Sequence, residues 1–95
     1  MRLEDKILVM KKLISLIHEA IDHIDKKQYP MLISDMIQLS GILKKYVQPH
    51  LDLNYIERRI KQLVQDYLEG RISEEELRRR ILDFLEWAIE QLRNI

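Results

Sequence analysis

The chain has 95 residues, no cysteine, and 16 basic against 16 acidic side chains. This length fits one domain, which we place over residues 1–95, and the lack of cysteine excludes disulfides and thiolate chemistry. With a formal net charge of zero, the chain lacks the excess of basic residues that nucleic-acid-binding domains usually carry. No segment has the ~20 consecutive apolar residues that a bilayer span requires. We therefore expect a cytoplasmic protein with no membrane partner; its many charged residues and two glycines are typical of a thermophile.

The first predicted helix covers residues 4–27 and is apolar over roughly half of its circumference. Seven apolar side chains alternate four and three residues apart, which is the spacing of a seam against a partner helix. These residues are Leu3, Ile7, Met10, Ile14, Ile17, Ile21 and Ile24. Leu13, Leu16 and Ala20 widen the seam on one side. Because one packed face needs only an arc of ~100°, we expect this helix to contact two neighbours.

Two proline-containing breaks bound the second predicted helix, residues 30–47. Pro30 suits the first helical position, and Pro49 disfavours helical backbone in the residue before it. Gly41 lies in the middle of this helix, where glycine costs about 1 kcal/mol relative to alanine. We expect Gly41 either to permit a close helix contact or to mark a bend.

The third and fourth predicted helices cover residues 54–69 and 74–94. Asp52 or Asn54 can cap the third helix, since both residue types accept hydrogen bonds from first-turn N–H groups. Short loops between four amphipathic helices imply that neighbours in sequence run antiparallel. The predicted fold is therefore all-α, a four-helix antiparallel bundle with up-down-up-down topology.

The turn between the third and fourth helices contains both a helix stop and a helix start. Gly70 can adopt the left-handed conformation that ends a helix. The Ser73 hydroxyl oxygen can accept a hydrogen bond from the backbone N–H of Glu76, and the Glu76 carboxylate can accept one from the backbone N–H of Ser73. These residues predict a tight helical hairpin.

Arginines concentrate around this hairpin, at Arg58, Arg59, Arg71, Arg78, Arg79 and Arg80. Such a patch is typical of phosphate contact, so one hypothesis is a nucleic-acid-binding accessory protein of a DNA- or RNA-processing complex. The other interpretation is a solvent-exposed helix face on which neighbouring glutamates neutralise the charge of the arginines. Three acid-to-base pairs lie four residues apart in the favourable orientation, namely Glu74–Arg78, Glu75–Arg79 and Glu76–Arg80.

No complete catalytic or metal-binding set of residues is apparent. His18 and His23 are five residues apart, about 140° around a helix, so they cannot chelate one metal together. The glycines are too few for a phosphate-cradling loop. We therefore expect no enzyme activity, no cofactor and no metal.

Surplus apolar residues on the fourth helix indicate an interaction surface. Leu82, Leu85 and Ile89 form a stripe with Arg78 at its N-terminal end, and Trp87 lies on the opposite side of the core line. Trp and Arg often anchor interfaces. The alternative is that the stripe packs under a neighbouring helix and Trp87 covers a bundle edge. We predict a non-catalytic helical interaction module or accessory subunit, with a protein partner or homo-oligomer.

Overall fold

A computed structural model describes residues 2–93, apart from the side chain of Leu92, and all regular structure in this range is helical. The four helices are α1 Leu3–Asp25, α2 Tyr29–Tyr46, α3 Leu53–Leu68 and α4 Glu74–Arg93. The all-α prediction with four helices is confirmed, while the predicted end of the fourth helix at residue 94 lies outside the described residues. The helices pack into a body of 45 × 25 × 19 Å.

The turn between α3 and α4 forms as its residue types predict. Gly70 adopts a φ of 77°, and its N–H donates to the Tyr67 carbonyl at 3.0 Å. The N–H of Arg71 donates to the Asp66 carbonyl at 2.8 Å, which completes a Schellman motif. The N–H of Glu76 donates to Ser73 Oγ at 3.1 Å, so the predicted cap of α4 is confirmed.

The second hydrogen bond predicted for this capping box, between the Glu76 carboxylate and the backbone N–H of Ser73, is wrong. The Glu76 carboxylate turns toward its own helix and accepts hydrogen bonds from Arg79 Nη2 at 2.6 Å and Arg80 Nε at 2.9 Å. Charge-assisted hydrogen bonds to guanidinium groups are stronger than a bond to a neutral backbone N–H. Two arginines within one turn therefore outcompete the N–H of Ser73.

The other helix ends differ slightly from the predicted boundaries. Asp52, rather than Asn54, caps α3, because its Oδ1 accepts from the N–H of Tyr55 at 3.0 Å. The first helix ends at Asp25, two residues early, through a Schellman motif in which Lys27 has a φ of 58° and Gln28 N–H donates to the His23 carbonyl at 2.8 Å. Lysine rarely adopts this left-handed conformation, so the residue type at position 27 does not predict the end of the helix.

The core contains residues from all four helices, and α1 packs chiefly against α2. Among the residues that the structure describes, sixteen apolar ones are buried: Val9, Leu13, Leu16, Ala20, Ile24, Tyr29, Leu32, Met36, Leu39, Leu43, Ile60, Val64, Leu77, Ile81, Leu85 and Ala88. Gly41 does not serve a close contact, because a Cβ built on it would meet no atom within 4 Å. That half of the Gly41 prediction is wrong.

Tyr29 carries a polar group into this core. Its ring lies 5.4 Å from the Tyr67 ring, centroid to centroid, and its hydroxyl has no hydrogen-bond partner among the described residues. Burial raises the pKa of the Tyr29 phenol well above its ordinary value, and the nearby Tyr67 hydroxyl and Glu74 carboxylate add to the rise. The phenol therefore stays neutral at physiological pH.

Candidate protein-interaction surface

The heptad-spaced face of α1 is only partly covered by the rest of the chain, with Met10 and Ile17 packed against the edge of the core. Of the seven seam residues, only Ile24 is buried. Leu3, Ile7 and Ile14 are exposed by 73%, 44% and 47%. Met10, Ile17 and Ile21 are half-buried. We call the six residues other than Ile24 the outer stripe of α1.

Helix geometry explains why residues of this stripe remain exposed. Each residue advances about 100° around an α-helix, which places the centre of the outer stripe roughly 100° from the buried line of α1. That buried line contains Leu13, Leu16 and Ala20, the residues predicted to lie at one side of the seam. The contacts with α2 are therefore made by that side, and the seam itself lies beside them at the surface.

The predicted partner-binding residues of α4 are only partly exposed. Leu85 is a core residue with 2% exposure, and Leu82 is half-buried against the core. Ile89 is half-buried, while Trp87 is 38% exposed, with its ring 5.6 Å from that of Phe84. We call Leu82, Leu85 and Ile89 the α4 stripe.

An ion pair joins α4 to α1. Arg78 Nη1 lies 2.6 Å from Asp25 Oδ1. At about 100° per residue, Asp25 lies within roughly 20° of Ile14 around α1, and Arg78 lies within roughly 40° of Leu82 and Ile89 around α4. Asp25 and Arg78 therefore lie on the same sides of their helices as the outer stripe of α1 and the α4 stripe.

Four of the six arginines in the predicted nucleic-acid patch have carboxylate partners within the chain. Arg71 pairs with Asp66 at 2.8 Å and with Glu69, while Arg79 and Arg80 both bind Glu76. The fourth is Arg78, which pairs with Asp25. Of the three pairs predicted along α4, only Glu76–Arg80 forms, so the other two predictions are wrong. Arg58 and Arg59 are exposed and form no ion pair within residues 2–93.

These ion pairs change the acidity of the carboxylates. Hydrogen bonds from Arg79 and Arg80 lower the pKa of Glu76 to about 2. Hydrogen bonds from Gln62 and Arg71 hold the pKa of Asp66 below its ordinary value. Charge on the hairpin is thus largely compensated locally.

A cleft of about 280 Å³ opens between α3 and α4 and was not predicted from the sequence. Met36 of α2 contributes to its lining, together with residues of both flanking helices. Its apolar lining consists of Met36, Ile56, Ile60, Leu63, Ile81 and Phe84. Its polar lining residues are Tyr55, Arg59 and Arg80.

A second unpredicted feature is the pair formed by His23 and Asp35 between α1 and α2. His23 Nδ1 lies 2.5 Å from Asp35 Oδ2, and the two side chains are 19% and 6% exposed. The available signal was the position of Asp35, three residues after Leu32 and four before Leu39 on the buried face of α2. Within residues 2–93, no three His, Asp or Glu side chains are grouped to hold a metal ion.

Comparison of the chain with protein-family models, curated proteins and solved structures finds no significant match. None of the helices described is both long enough and apolar enough to cross a bilayer. Three apolar residues of the outer stripe of α1, Leu3, Ile7 and Ile14, are exposed at helix-packing spacing.

Proposed function

We propose that this protein is a non-catalytic helical interaction module, either self-associating or docked on a larger protein. The binding surface consists of the exposed part of the outer stripe of α1 together with Leu82 and Ile89 of the α4 stripe, whereas Leu85 is buried in the core and does not reach it. The observation that carries the proposal is the exposure of Leu3, Ile7 and Ile14 at the spacing of a helix-packing seam. Exposed apolar side chains scattered singly are ordinary on protein surfaces, but a regular stripe of them is typical of an interface.

The two stripes form one surface if the helices follow the up-down-up-down topology, which we include in the proposal. The Arg78–Asp25 ion pair places the start of α4 beside the end of α1. Gln48 Nε2 donates to Gln91 Oε1 at 2.6 Å, which places the end of α4 beside the end of α2. Both contacts support an α4 that runs antiparallel to α1.

This arrangement gives the surface a specific shape. With Asp25 opposite Arg78, antiparallel helices bring Ile21 opposite Leu82 and Ile14 opposite Ile89. Leu3 and Ile7 then lie beyond the level of Arg93, the last described residue of α4. The surface therefore combines a two-helix platform with an N-terminal part of α1 that α4 does not flank, which suits contact with a helix of another molecule.

A charge placed in the stripe tests the proposal. Ile14→Lys puts a cation in the middle of the surface, whereas Leu8→Lys is a matched control at a 63% exposed leucine on the other side of α1. We expect Ile14→Lys to abolish concentration-dependent association in sedimentation velocity, or to abolish capture of the partner from source-cell lysate. Leu8→Lys should retain both. A strictly monomeric protein that captures nothing, or equal losses in the two variants, would contradict the proposal.

The alternative function, a nucleic-acid-binding accessory protein, has narrower support. It rests on Arg58 and Arg59, because Arg71, Arg78, Arg79 and Arg80 already pair with carboxylates of the chain. Phosphate binding by these residues would weaken steeply with added salt. Absence of binding to single- and double-stranded DNA and RNA at about 50 mM salt would exclude it.

A further inference from the structure

We propose that the cleft between α3 and α4 binds a small amphiphilic carboxylate. The apolar part of the ligand would lie between the two helices, and its carboxylate would meet Arg59 with support from Arg80. This inference is independent of the interaction surface on α1 and α4.

The interior of the cleft suits an apolar ligand body. Six of the nine lining residues are apolar, and three of them, Met36, Ile60 and Ile81, belong to the buried core. The volume of about 280 Å³ lies just below the range that is usual for small-molecule sites. A medium-length alkyl chain or a single aromatic ring with a short tail matches these dimensions better than a larger cofactor.

The charges at the cleft specify an anion. Two of the lining residues are arginines, and none of the nine is acidic. Arg59 forms no ion pair in the part of the chain that the structure describes, so its guanidinium is available for a ligand. The planar guanidinium fork matches the two oxygens of a carboxylate.

Arg80 and Tyr55 take supporting positions. Arg80 donates through Nε to Glu76, and this bond leaves its terminal amino groups for a second acceptor. Because Glu76 offsets part of the positive charge of Arg80, Arg59 is the main anchor. Tyr55 is 54% exposed and adds a hydroxyl group to the lining.

Methionine methyl groups provide a direct probe of binding. The chain has four methionines, and of these Met36 lines the cleft, whereas Met10 belongs to the outer stripe of α1 and Met31 is exposed on α2. We expect dodecanoate, added below its micellar concentration, to shift the ¹³C-methyl resonance of Met36 saturably. Met10 and Met31 should stay unchanged, and dodecyltrimethylammonium should shift Met36 far less.

Neighbouring arginines provide matched variants. Arg59→Ala should weaken dodecanoate binding about tenfold, whereas Arg58→Ala, which removes an arginine outside the cleft, should change the affinity less than about twofold. Any of four results would overturn the proposal. The first two are a Met36 methyl resonance that does not shift at about 1 mM dodecanoate, and a shift of the Met10 resonance instead. The third is an equal loss of dodecanoate affinity in the two variants. The fourth is a Met36 shift that depends on protein concentration alone, which would assign the cleft to a second copy of the chain.

Discussion

The two apolar faces of α1 differ in what covers them rather than in what they contain. The inner face, with Leu13 and Leu16, is buried against the rest of the chain. The outer stripe has the more regular helix-packing spacing, and nevertheless its residues Ile7 and Ile14 are exposed. Hydrophobic periodicity therefore identifies a surface that suits a neighbouring helix, but it does not say whether that helix belongs to the same molecule.

The largest effect that separates the two faces should come from adjacent residues. Leu13→Ala removes a side chain with 1% exposure and should lower the free energy of unfolding by about 3 kcal/mol. Ile14→Ala, at 47% exposure, should change it by less than about 1 kcal/mol in the monomer, because the side chain leaves no cavity and alanine favours the helix. Urea denaturation of both variants gives the comparison. Equal losses would mean that the outer stripe is also packed within the chain.

Two polar contacts of α1, one partly buried and one exposed, should differ in their contribution to the free energy of unfolding. His23→Ala leaves the buried Asp35 carboxylate without its partner and should cost about 2 kcal/mol. Asp22→Ala breaks the exposed ion pair with Lys26, whose side chains are 54% and 62% exposed, and should cost at most about 0.5 kcal/mol. Thermal denaturation measures both. A loss at Asp22 as large as that at His23 would contradict the assignment of His23 to the inner side.

A smaller effect of opposite sign is expected on α2. Gly41→Ala should raise the free energy of unfolding by about 0.5–1 kcal/mol, since the added Cβ meets no atom within 4 Å and alanine restricts the unfolded chain. Denaturant titration at equal protein concentration measures the gain. A destabilised Gly41→Ala protein would show that another surface closes over this part of α2.

The smallest effect concerns the Glu76 carboxylate, whose side chain is 27% exposed. Its pKa of about 2 lies below the ordinary value of 4.5, so its stabilising contribution is complete above about pH 4.5 and is lost as the pH falls through about 2. The side-chain carboxyl ¹³C shift should titrate with a midpoint near 2 in the wild type. In the Arg79→Ala/Arg80→Ala double variant the midpoint should rise toward 4.5. A wild-type midpoint already near 4.5 would disprove these ion pairs.

Local sequence signals predicted the helix count and several helix ends. Gly70, Ser73 and Asp52 act through their own backbone neighbourhood, so their roles follow from residue type and spacing. The end of α1 at Asp25 escaped prediction because Lys27 adopts a conformation that its residue type disfavours. The end of a helix can be predicted from the sequence when the residue at that end is of a type that favours the required backbone conformation or hydrogen bond.

Long-range contacts were not accessible in the same way. Arg78 had an acidic neighbour four residues earlier, yet it pairs with Asp25 on another helix. The His23–Asp35 pair and the cleft beside Arg59 likewise depend on how helices are placed against one another. Spacing along one helix identifies candidate partners, and the tertiary arrangement selects among them.

The proposed interaction surface requires that Ile7 and Ile14 of the outer stripe be exposed in the single chain. Solvent paramagnetic relaxation of isoleucine methyl groups, recorded together with the sedimentation mass, tests it most directly. In a monomer, Ile7 and Ile14 should broaden strongly while Ile24 and Ile81 stay protected; in an assembly, Ile7 and Ile14 should become protected as well. A monomer in which Ile14 is as protected as Ile24 would contradict the account.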